Sequence, residues 1–177
     1  MKTLEPHLLF FQSLSARKKD RLLGKEYIAK YPDLLYDFLD FALTEKQERI
    51  HVVVIWSIEL QLVDHPHELT LYLDRYLDKL PLIKDESMRR GLSKILFYYA
   101  KKFEKQLTET QKEKIISQSF DWLIEPAQVA TVSFALKLLQ LFVNEASWIK
   151  EELQAIVIQQ LPNASPGYKA AARDILK

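Results

Sequence analysis

The chain has 177 residues, of which 48% are hydrophobic and 28% charged, the balance of a globular rather than a disordered protein. A chain of this length buries roughly two-thirds to three-quarters of its unfolded surface, so it needs neither disulfide nor metal to fold. The lack of cysteine excludes disulfides, thiol catalysis and cysteine-ligated zinc, three glycines leave little for hairpin turns or phosphate loops, and a net charge of +1 gives no overall basic character.

From the N-terminus, the apolar run Leu8-Leu9-Phe10-Phe11 is too short for a secretory core and lies between Pro6 and polar Gln12 and Ser13. Residues 1–31 are expected to form a shortened helix pair that caps the remaining helices. The longest apolar run, Val52 to Trp56, falls far short of the roughly 18 residues of a membrane span, so a soluble, cytoplasmic protein with no membrane partner is expected. Val52 to Ile58 is β-branched enough for a buried strand. It stands, however, inside a stretch from Glu45 to Asp64 free of Gly and Pro, with no partner strand elsewhere. It is read as the most buried helix.

Further along, apolar residues recur at steps of three and four. Leu69, Tyr72, Leu73, Tyr76, Leu77 and Leu80 make one stripe, and Met88, Leu92, Ile95, Leu96, Tyr99 and Phe103 the next. Ile115, Ile116, Ser119, Phe120 and Leu123 make a third, then Val129, Val132, Leu136, Leu139 and Val143, then Ile149, Leu153, Ile156, Val157 and Leu161. Pro32, Pro66, Pro126 and Pro166 stand near helix starts, while Pro81 and Pro162 close the helices before them. Asp85 and Thr108 are candidate N-caps. An amphipathic helix cannot bury its stripe alone, so these helices must pack on one another. All-α is the fold class.

First helices are placed near Pro32, Pro66, Thr108 and Ser147, and second helices near Glu45, Asp85, Pro126 and Ser165. The resulting period of about 35–42 residues is that of helical-hairpin solenoids. Phe38-Leu39-Asp40, Tyr72-Leu73-Asp74 and Phe120-Asp121-Trp122-Leu123 recur on first helices. On second helices, Ile50-His51-x-x-Val54, Met88-Arg89-x-x-Leu92 and Tyr168-Lys169-x-x-Ala172 share an apolar–basic pattern that resembles the HEAT-repeat second helix. Val129-Ala130 breaks the series in the third repeat. The resemblance implies one HEAT-like α-solenoid domain over 1–177, with hairpins at 32–65, 66–107, 108–146 and 147–177 behind the 1–31 cap.

Phe120-Asp121-Trp122-Leu123-Ile124, Trp148-Ile149 and Tyr168-Lys169-Ala170-Ala171-Ala172-Arg173-Asp174-Ile175-Leu176 are similar to a family of short, Bacteroidetes-type HEAT-like proteins. Members of that family often carry the name adenylosuccinate lyase. The S-S-x-M-P-x-K-x-N loop of lyases with that activity has no match, because neither Met1 nor Met88 precedes a proline.

Among residues that could carry chemistry, His65-Pro66-His67 sits between Asp64 and Glu68, without the further ligands a metal needs; it reads as an interhelical turn. The pairs Asp37/Asp40, Glu151/Glu152 and Asp85/Glu86 read as solvated helix faces. No serine has a G-x-S-x-G context, and no cofactor motif is present. The basic residues are the candidate site. Second helices line the concave face of a HEAT-like stack, so His51, Arg89, Arg90, Lys94, Lys101, Lys169 and Arg173 could form a groove for phosphates or an acidic protein. Glu45, Glu48, Glu59, Glu86 and Glu104 share that class of helix and moderate its charge. The leading expectation is a non-enzymatic module whose concave face holds a protein or peptide. Nucleic-acid binding, with base chemistry like that of HEAT-like DNA glycosylases, is the alternative, and a lyase the third.

Overall fold

The computed structural model describes residues 4–125, 129–173 and 175, and among them there are ten α-helices and no strand. None of these helices is long and apolar enough to cross a membrane. The chain divides into two compact units, Met1–Ile95 and Leu96–Lys177, with the division falling inside one helix.

The first unit contains α1 (Glu5–Gln12), α2 (Lys18–Lys30), α3 (Leu35–Ala42), α4 (Arg49–Asp64), α5 (Leu73–Lys79) and the first part of α6 (Glu86–Phe103). Helices α1, α2 and α3 all pack against α4. The run Val52 to Ile58 is therefore helical, and its apolar character on several sides answers to neighbours on several sides. The helix expected from near Pro66 through the Leu69–Leu80 stripe starts differently. Pro66–Tyr72 is a 3-10 segment and α-helix begins only at Leu73, yet Leu69, Tyr72, Leu73, Tyr76, Leu77 and Leu80 are all buried. Residues three apart eclipse in a 3-10 helix, so Leu69 and Tyr72 still share one side.

Loops in this unit are tied by side chains. Gln47 Oε1 accepts from the backbone N–H groups of Lys84 (2.8 Å) and Asp85 (2.6 Å), and its Nε2 donates to the Leu82 carbonyl (3.0 Å). That one amide joins the loop before α4 to the loop before α6. Asp85 in turn caps α6 through the Met88 N–H at 2.9 Å, as its position in the sequence suggested.

The second unit contains the rest of α6, α7 (Glu109–Ile124), α8 (Val129–Phe142), α9 (Ser147–Gln160) and α10 (Pro166–Ala172). Thr108 and Gln111 form a reciprocal capping box at the start of α7, and Ser165 caps α10 through Tyr168 N–H. The helix start expected near Pro126 lies outside the described residues. Helix α8 packs on α7 and on α10. Val132, Leu136, Leu139 and Phe142 face inward, whereas Val129, expected in that stripe, is exposed on the first turn of α8. Gln160 Nε2 donates to the Leu123 carbonyl (2.8 Å), satisfying an acceptor at the end of α7 that no residue of its own helix can reach.

Candidate functional site

Two clusters of cations, one in each unit, differ in what the cations face. In the first unit the organising residue is Glu59 on α4, whose side chain is only 2% exposed. Three cations from the flanking helices converge on it. Arg21 of α2 lies 3.1 Å away, Lys94 of α6 lies 2.9 Å away, and Arg90 of α6 lies 3.6 Å away. A carboxylate so deep requires partners at close range, because desolvation of an unpaired charge costs several kcal/mol. The Arg21 guanidinium also lies over the Trp56 ring at 5.8 Å, and Trp56 Nε1 donates to the Ser87 carbonyl at 3.2 Å.

Two glycines allow the helices to come this close. A Cβ on Gly24 of α2 would stand 2.0 Å from Ser57 Oγ and 2.7 Å from Ser57 Cβ on α4. One on Gly91 of α6 would stand 3.1 Å from Ile55 Cγ2 and 3.3 Å from Glu59 Oε2. Neither glycine has a positive φ, so close approach rather than turn geometry explains both. Nearby, Tyr76 is fully buried and donates to the Leu92 carbonyl at 2.7 Å. Burial, reinforced by the charge of Glu59, pushes its pKa well above the usual phenol value.

Two further members of the predicted basic set are internal. Arg89 is 5% exposed, with Nε donating to the Ile83 carbonyl (2.8 Å) and Nη1 to Glu86 (3.1 Å). His51 is 7% exposed and its ring lies against Phe41 with centroids 4.6 Å apart. His51 Nδ1 accepts the Glu48 N–H at 2.8 Å, which places a proton of the neutral ring on Nε2. Burial lowers the His51 pKa, outweighing the opposing pull of Glu48. His51 and Arg89 thus serve packing and capping rather than a surface.

In the second unit, Lys101 remains exposed, as do Lys169 on α10 and Arg173 just after it. The surroundings of Lys101 were not apparent from the chain. Its ammonium lies over the Phe97 ring at 5.9 Å. Lys137 of α8 lies over the same ring at 5.8 Å and over Phe134 at 5.1 Å. The two phenyl rings are 5.8 Å apart with their planes inclined by 41°. Tyr98 beside them is 37% exposed and meets Phe97 edge-on. Neither lysine makes an ion pair among the described residues. The spacing Phe97/Lys101 and Phe134/Lys137 is helical and visible in the sequence; the meeting of the two pairs is not.

Other candidates are dispersed. His65 and His67 are both exposed, with rings 6.2 Å apart and edge-to-face. Among the described residues no group of three or more His, Asp or Glu side chains is arranged to hold a metal. Trp122 is buried, whereas Trp148 is 52% exposed and stacks on Phe120 at 5.9 Å.

Comparison with known proteins finds no matching family model, no matching curated protein and no matching solved structure.

Proposed function

We propose that the chain is a non-enzymatic interaction module of the HEAT-like kind, which binds a protein or peptide on the faces of its second helices. In this reading α2, α4, α6, α8 and α10 are the second helices. The packing of α3 with α4 and of α7 with α8 supports hairpins, and that of α2 on α4 and of α8 on α10 supports stacking of their second members. The observation that carries the proposal is the platform of Phe97, Tyr98, Lys101, Phe134 and Lys137 on α6 and α8. Partly exposed aromatic rings with aliphatic and charged groups around them are the composition of binding hot spots.

The test is affinity purification from the native host with the full chain as bait, in parallel with the Phe97→Ala/Phe134→Ala variant. A partner retained by the wild-type chain and lost from a variant of unchanged circular dichroism is the expected result. Identical sets of bound proteins on the two baits would refute the reading.

A further inference from the structure

Resting on that reading, we infer that the α6–α8 platform of the second unit takes an acidic peptide segment, with carboxylates at Lys101 and Lys137 and an apolar side chain on the rings between them. Charge is the first ground. In the first unit Arg21, Arg90 and Lys94 all point at the buried carboxylate of Glu59. Lys101 and Lys137 have no such carboxylate among the described residues and keep their charge for a ligand.

The rings supply the second ground. Lys137 covers a face of Phe134 and, with Lys101, approaches Phe97. Each contact holds an ammonium group in place against a ring. Ring faces engaged by ammonium groups are poor stacking surfaces for nucleobases, which need an open π-face. The edges carry the positive part of the ring quadrupole and suit a carboxylate or an aliphatic group. Nucleic acid also draws its affinity from many clustered cations, and this platform offers two. A carboxylate-bearing peptide matches the charge, the edges and the apolar area together.

The experiment pans a random dodecapeptide library on the full chain and measures enriched peptides by fluorescence anisotropy. Enriched sequences are expected to be acidic and to contain an aromatic or large aliphatic residue. Affinity should fall by about tenfold or more in Lys101→Glu/Lys137→Glu and as salt shortens the Debye length. Lys101→Gln/Lys137→Gln should lie between, and Lys150→Glu on α9 should leave binding unchanged. Peptides that are enriched but neutral or basic, or that bind the charge-reversed variant equally well, overturn the acidic-partner inference and leave the module reading standing. If no peptide is enriched, both fall, and retardation of oligothymidylate that depends on the same lysines would assign the platform to nucleic acid.

Discussion

At the residue scale, the role of each cation depends on whether a carboxylate or a carbonyl lies within reach. Arg89 donates to Ile83 and Glu86, Lys94 donates to Glu59 with Arg90 in ion-pair range of the same carboxylate, and Lys101 rests on a phenyl ring. His51 belongs to the same series, with a consequence for stability. Its folded-state pKa lies below the ordinary value of 6.5, because burial disfavours the imidazolium. The unfolded chain then binds the proton more tightly than the folded one. Stability from this group is complete above about pH 6.5 and is lost as pH falls from there through the lower folded pKa. Urea midpoints measured between about pH 7 and pH 5 should therefore decline, ahead of the more acidic range in which Asp20, Glu48 and Asp64 titrate. His51→Gln, which can still accept the N–H as a capping-box side chain, should flatten that slope. A slope unchanged by the substitution would assign it to other groups.

At the element scale, helix identity was legible wherever apolar residues repeated at three and four, because that spacing alone builds a continuous stripe. Val52 to Ile58 was legible by the absence of breakers, despite its β-branched composition. The 3-10 geometry of Pro66–Tyr72 was not, since Leu69 and Tyr72 fall on one side in either helix type. Glycine was the other illegible feature: Gly24 lies mid-helix, where local propensity counts against it by about 1 kcal/mol relative to alanine. Its reason is Ser57 on α4. Gly24→Ala should consequently destabilise by about 1–3 kcal/mol despite the better helix former, because the α2 and α4 backbones must separate. Ser57→Gly in the same chain should recover most of the loss, and a double-mutant cycle in urea measures the coupling. Additive effects of the two substitutions would show that the helices do not meet at this pair.

At the scale of the whole molecule, the two cation clusters should separate stability from binding. Glu59→Gln leaves Arg21, Arg90 and Lys94 without their shared counter-charge. It is expected to lower stability by about 2–3 kcal/mol, the exposed parts of the cations keeping the loss below that of a fully buried pair. Lys101→Glu/Lys137→Glu breaks only surface cation–π contacts and should cost about 1–2 kcal/mol, roughly 0.5–1 for each lysine. Thermal melts of the two variants provide the check. A larger loss in the lysine variant than in Glu59→Gln would reverse the assignment of scaffold and surface.

The sequence by itself determined that the chain is helical, together with most of the buried stripes and the caps at Asp85 and Thr108, because these depend on neighbours three or four residues apart. Only the tertiary structure decided which charges are internal. Glu59 meets Arg21 and Lys94, and Phe97 meets Lys137, across helices that lie far apart in the chain. A basic residue on a helix face has the same local pattern whether a carboxylate or solvent faces it. Of the predicted ladder of His51, Arg89 and Lys169, packing placed the first two members in the interior, and it left charge available at Lys101 and Lys137.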